Sequence, residues 1–184
     1  TNSDEFEETV DTYYSSVDFP EGVNMSFSSI NLKGQGFKET HILSFVSPSS
    51  QSLANLRASL SGEKWENYLD LVGPFVENVR VSAGNATQVY NAEQFYPIGQ
   101  VWGFKVKSKH VPQFSQAFAK LMQTFEAPGF VGLANVTHGI SNGENLLIYG
   151  TYPNLNSAFT FGPNNENEVK AFSVFNDLVG DISE

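Results

Sequence analysis

The 184 residues include no cysteine. That excludes structural disulfides, reactive thiols and thiolate metal sites, and it is compatible with an oxidising compartment without requiring one. Positive charge is also scarce: 10 Lys and Arg stand against 20 Asp and Glu, a formal charge of −10. Phosphate recognition draws on clustered Lys and Arg, so neither nucleic acid nor an anionic membrane surface is expected as a partner. No run reaches the ~18 consecutive apolar residues of a membrane-spanning helix. Charged side chains are only 16% of the chain, below the usual ~25%, which leaves the polar surface to Asn, Ser, Gln and Thr. Such a surface suits a secreted or periplasmic component. The sequence opens at Thr1 with no basic segment followed by an apolar run, as expected of a processed or trimmed form.

What is abundant is aromatic: 16 Phe, 7 Tyr and 2 Trp. At this length one domain buries roughly 70% of its unfolded surface, so a phenylalanine-packed core needs no metal or disulfide. Residues 1–18 carry Asp4, Glu5, Glu7 and Glu8, then Phe6, Val10, Tyr13, Tyr14 and Val17 at helical spacing, with carboxylates favourably placed in the first turn. Val23, Met25 and Phe27 alternate with polar residues and predict a strand. Gly34 and Gly36 punctuate this N-terminal extension, residues 1–39.

From residue 40 the chain reads twice as strand, helix, strand, strand. The first copy, 40–97, has a strand over 41–47, a helix over 51–71 broken near Ser61 and Gly62, a strand over 75–83 and a strand over 86–91. The second, 98–184, has strands over 100–106, 130–138 and 145–152 and a helix over 110–125. Ile42 and Phe45 match Val101 and Phe104 at an offset of ~59 residues. Phe75, Val76, Val81 and Gly84 match Phe130, Val131, Val136 and Gly139 at ~55, a difference of about one helical turn. A compensating insertion falls at the turn signal of 141–144. Val111, Phe114, Phe118, Leu121, Met122 and Phe125 fall on one helix face. A last helix over 165–179 carries a stripe of Val169, Phe172, Val174, Phe175, Leu178 and Val179. The two halves are expected to form a single structural domain.

The segment VPQFSQAFAKLMQTFEAPGFVG, residues 111–132, with Pro128-Gly129-Phe130 after a helix that opens near a proline, resembles the helix, turn and strand of the dimeric α+β barrel proteins. This is the ferredoxin-like superfamily that includes antibiotic-biosynthesis-monooxygenase-type domains. GPFVENV at 73–79 is a fainter echo. The resemblance covers 98–180 closely and 40–92 loosely. It implies an α+β fold of two ferredoxin-like β-α-β-β halves, a tandem α+β barrel closed within one chain, with an N-terminal helix and strand added. Activities in that superfamily include cofactor-independent oxygenation of aromatic molecules, isomerisation and haem degradation. The haem-degrading branch places its ligating histidine within the helix, where this chain has only His110 at the very start.

Alternation puts His138 in a row with Phe130, Ala134 and Val136, where the first copy has Ala83. A cavity-facing His138 beside Trp102 and Tyr149 would position an aromatic substrate or act as a base near neutral pH. The competing account is an exposed strand-end histidine beside Gly139. His41, His110 and His138 have no metal-ligand spacing, so no metal or cofactor is expected. There is no GxSxG, Walker or GxGxxG motif, and GQG at 34–36 lacks the third glycine. Asn24, Asn85 and Asn135 open glycosylation sequons, of which Asn135 falls inside a predicted strand. Three functions remain open. One is a binding or assembly component with a small apolar ligand or self-association. Another is a cofactor-independent monooxygenase or isomerase acting on a small aromatic or apolar substrate through His138, Trp102 and Tyr149. The third is a haem or metal binder. Whether the protein is an enzyme is undecided at this level.

Overall fold

A computed structural model describes residues 2–34, 37–77, 79–140 and 142–183. The fold is α+β, with two antiparallel sheets and six α-helices among the described residues. The chain divides into two compact units, 1–79 and 80–184.

The first unit holds α1 (Asn2–Ser15), β1 (Asn24–Ser29), β2 (His41–Val46), α2 (Ser50–Ser59) and α3 (Glu63–Val72). The N-terminal helix and strand are as expected, and β1 pairs antiparallel with β2, Phe27 opposite Leu43. The break foreseen near Ser61 and Gly62 separates α2 from α3. Gly62 sits at φ 76, a backbone region that L side chains rarely adopt. Ser49 caps α2, its hydroxyl accepting from the Ser52 N–H at 3.2 Å. Val10, Tyr14, Leu56, Leu60, Tyr68 and Val72 form the core, with the rings of Tyr13 and Tyr68 stacked at 4.1 Å. Burial pushes the Tyr14 and Tyr68 hydroxyls above the ordinary phenol range.

The strand expected over 75–83 does not form across 76–77 or 79–82. Gly73–Phe75 form a 3-10 turn with Pro74 in its first turn, closed by the Val76 N–H on the Gly73 carbonyl at 3.1 Å. Val79 and Val81, within the stretch expected as a strand, are 73% and 75% exposed. Asn78, Gly36 and Ser141 of the predicted strand, glycine pair and hairpin turn lie outside the described residues.

The second unit holds β3 (Ala83–Tyr90), β4 (Ile98–Phe104), α4 (Val111–Met122), β5 (Val131–His138), β6 (Leu146–Tyr152), α5 (Leu155–Phe159) and α6 (Glu166–Ile182). The sheet order is β3-β5-β6-β4. Because β3 pairs with β5, the unit boundary falls at 79/80, ahead of the 97/98 division between the expected halves. The helix face foreseen for α4 is the buried one. Phe114, Phe118 and Leu121, with Phe125 just beyond, pack on Leu133, Leu146 and Ile148 of the sheet and on Phe175 of α6.

On α6 the expected stripe is partly displaced. Val169 and Val174 are 52% and 69% exposed, while Phe172, Phe175, Leu178, Val179 and Ile182 face the core. Glu168, only 6% exposed, takes a turn of that face. Its carboxylate accepts from the Asn164 N–H at 2.6 Å, and the Asn165 side chain accepts from the Glu168 N–H at 3.0 Å, a reciprocal cap that satisfies the helix start.

Candidate ligand site on the four-stranded sheet

Directly opposed residues of an antiparallel ladder share a face. Trp102 opposes Ile148, which opposes Leu133, so Trp102 stands on the helix-covered face. Tyr149 opposes Val101 and Gly132 and stands on the other face. His138 ends β5, six residues past Gly132 and roughly 20 Å along the strand at ~3.3 Å per residue. It is exposed, and its Nδ1 lies 2.9 Å from the Thr137 hydroxyl. The three side chains singled out from the sequence therefore do not converge on one cavity.

Trp102 instead joins residues the sequence analysis did not name. Gln100 opposes Gly150 and Ile98 opposes Tyr152, so Gln100, Trp102, Gly150 and Tyr152 lie on one face. Gly150 leaves a gap there. A Cβ on it would have the Trp102 ring and the Tyr152 hydroxyl both at 3.5 Å. Phe161, beyond α5, closes over both, its ring centroid 5.5 Å from that of Trp102 and 5.5 Å from that of Tyr152. The α5 cap, the Asn154 side chain accepting from the Ser157 N–H at 3.0 Å, sets where that cover begins.

One polar group here is unsatisfied. The Gln100 Oε1 is buried and has no hydrogen-bond partner among the described residues, at a cost of about 1–3 kcal/mol for a buried acceptor. Burial holds the Tyr152 hydroxyl well above the ordinary phenol range, so it stays a donor at neutral pH. The Trp102 indole presents its six-membered ring to Gly150. One buried acceptor, one hydroxyl donor and aromatic walls suit an uncharged flat molecule with both kinds of group. A signal for Gln100 existed in the sequence, since QVWGF sets one polar residue in an otherwise apolar alternating row. Phe161 carried none, because its approach depends on the chain reversal after β6.

On the opposite face Tyr149, Phe130 and Phe95 form a ring triad, with centroids 5.5 to 6.1 Å apart. The Tyr149 ring lies diagonally over Gly99, where a Cβ would come within 2.6 Å of the hydroxyl. Burial raises the pKa of Tyr149 as well. Phe95 is held there by its neighbours: the Tyr96 N–H donates to Thr151 Oγ1 at 3.3 Å, and the Phe130 N–H donates to the Gln94 carbonyl at 2.8 Å.

His110 lies in the turn ahead of α4 and His41 in the first unit. Among the described residues no group of three or more His, Asp or Glu side chains is placed to hold a metal ion, and no helix is long and apolar enough to cross a membrane. Surface depressions of about 330 Å³, beside Pro163 and Lys170, and about 210 Å³, beside Tyr13 and Lys64, have none of Trp102, His138 or Tyr149 in their walls.

No protein-family model and no curated protein sequence matches the chain. A crystal structure described as a "putative monooxygenase" from Lactobacillus acidophilus NCFM matches it with a TM-score of 0.63 at 13% identity, over 99% of this chain and 82% of that one. What the two share is the fold.

Proposed function

We propose that the protein binds a small, uncharged, planar aromatic molecule against the edges of the Trp102, Tyr152 and Phe161 rings on the helix-covered face of the four-stranded sheet. The observation that carries this reading is the buried Gln100 Oε1 with no partner. An O–H or N–H of the ligand would satisfy that oxygen, while the Tyr152 hydroxyl donates to the ligand and the ring edges pack against it. A buried charge would have no counter-ion in this wall, so phenols are preferred over their phenolates and over carboxylates. The test is a fluorescence titration with naphthol and with its methyl ether. A Trp65→Phe background leaves Trp102 as the sole indole. Naphthol should quench Trp102 and the ether should bind at least tenfold more weakly, as expected when a hydrogen bond worth ~1.4 kcal/mol is lost. Equal binding of both, or equal binding to Gln100→Leu, would refute the assignment.

A second reading, cofactor-independent oxygenation of such a molecule, draws on the likeness to the Lactobacillus protein. In it Trp102 and Tyr152 orient the substrate, whereas His138 and Tyr149 would have to act from the strand end and the opposite face. It predicts oxygen uptake and a product heavier by oxygen when a hydroquinone is supplied; binding without turnover leaves the first reading alone. The tandem relation of the halves and any self-association belong with these proposals. The strand-helix pattern that recurs at β2-α2 and β4-α4 supports the tandem relation.

A further inference from the structure

Glu7 of α1, His41 of β2 and Thr40 just before it form a continuous hydrogen-bonded chain within the first unit. The His41 Nε2 lies 3.0 Å from Glu7 Oε1. That carboxylate also accepts from the Ser29 hydroxyl at 2.7 Å and the Ser3 hydroxyl at 3.4 Å, and these bonds hold its pKa below the usual carboxylate range. An ionised carboxylate can only accept, so Nε2 must carry the ring proton, and Nδ1 of the neutral imidazole is then an acceptor. The Thr40 hydroxyl, 2.9 Å from Nδ1, donates to it. The imidazole plane is fixed from both sides by rings: Phe27 stacks at 5.5 Å and 13°, and Phe6 meets it edge-on at 4.8 Å. His41 is 12% exposed, whereas Thr40 is exposed.

A hydroxyl on a base whose far nitrogen is fixed by a carboxylate is the arrangement that activates an oxygen nucleophile. Thr137 and His138 make the same hydroxyl-to-Nδ1 contact at 2.9 Å, but among the described residues no carboxylate reaches His138. The second unit thus supplies a comparison pair without the carboxylate, in which the Thr137 hydroxyl also lies 3.3 Å from the Ala83 carbonyl and the histidine is exposed.

We propose that Thr40 is a nucleophile for acyl transfer from activated esters, with His41 as its general base and Glu7 as the residue that positions the base. His41 Nδ1 takes the Thr40 proton as Oγ1 bonds to the acyl carbon. The bond from that carbon to the leaving oxygen breaks, the leaving group departs as the aryloxide with the electron pair, and the imidazolium gives its proton to water. Water then adds to the acyl-Thr40 ester, His41 again takes the proton, and the free acid leaves with the Thr40 hydroxyl restored. An aryl ester is the fitting donor because aryloxide carries negative charge without further donors around it. This site is independent of the aromatic-ligand site of the second unit.

The experiment supplies p-nitrophenyl acetate to the full chain and follows nitrophenolate release, with peptide mapping of the acetylated residue. An acetyl group on Thr40 is expected. Thr40→Ala should abolish it, Thr40→Ser should retain it, and His41→Gln should slow acylation by roughly 10²-fold. Glu7→Gln should lower kcat with KM unchanged, and Thr137→Ala and His138→Gln should have no effect. Thr40 is exposed, so its truncation leaves the core intact. Acetyl groups only on lysines, or full release by Thr40→Ala, would overturn the proposal, as would acetylation of Thr137 at the same rate as Thr40.

Discussion

Trp102 and Tyr149 occupy neighbouring strands one residue out of register, Trp102 opposite Ile148 and Tyr149 opposite Val101, and so they stand on opposite faces of one sheet. Each anchors a separate aromatic group, Trp102 with Tyr152 and Phe161, Tyr149 with Phe130 and Phe95. The two groups are insulated by the sheet and should respond independently to substitution.

Gln100→Leu should raise stability while it removes ligand binding. The change exchanges an unpartnered buried oxygen for apolar surface, and relief of about 1–3 kcal/mol is expected for such a group. Chemical denaturation of the free protein measures the first effect and naphthol titration the second. A stability loss would mean that Oε1 has a partner in solution.

Gly99→Ala should cost about 1–3 kcal/mol, because its Cβ would meet the Tyr149 ring end at 2.6 Å and the ring would have to leave its seat. Most of that cost should vanish in a Tyr149→Ala background. A double-mutant cycle with no coupling would show that the ring does not lie over Gly99.

Phe118→Ala should cost about 3–5 kcal/mol, since the ring is 2% exposed within the α4, α6 and sheet core. Val174→Ala, on the outer face of α6 at 69% exposure, should stay within about 0.5 kcal/mol of the parent. Urea unfolding of both variants decides whether α6 turns the face described. A large loss at Val174 would place that residue inward.

Stability should fall on the alkaline side. Tyr14, Tyr68 and Tyr152 have folded pKa values raised by burial above that of a free phenol, about 10. Their contribution is complete below the unfolded value and is lost as pH climbs toward the folded ones. Glu7 has the opposite sign: its lowered pKa stabilises the α1 attachment above the ordinary carboxylate range and is lost on acidification through the folded value. Tyrosinate absorbance should rise together with loss of helical circular dichroism above about pH 10. Ionisation of all seven tyrosines well before unfolding would contradict their burial.

Local pattern determined much of this protein. The face of α4 from Phe114 to Phe125, the strands β5 and β6 and the interruption at Gly62 all follow from side-chain periodicity and glycine chemistry within a few residues. Gln100 was legible as a polar residue in an apolar row, though not as a site. Tertiary structure alone decided what depends on distant partners. Pairing along β5 begins only at Ala83, so of the strand expected over 75–83 the last residue alone is paired, and the chain turns at Pro74 before it. Neighbouring elements also chose the face of α6, setting Glu168 inward and Val169 and Val174 outward, since two overlapping stripes fit the same helical period. The register of β4 against β6 divided Trp102 from Tyr149. The packing of α1 on β2 brought Glu7 to His41 across 34 residues, a separation that no local pattern encodes.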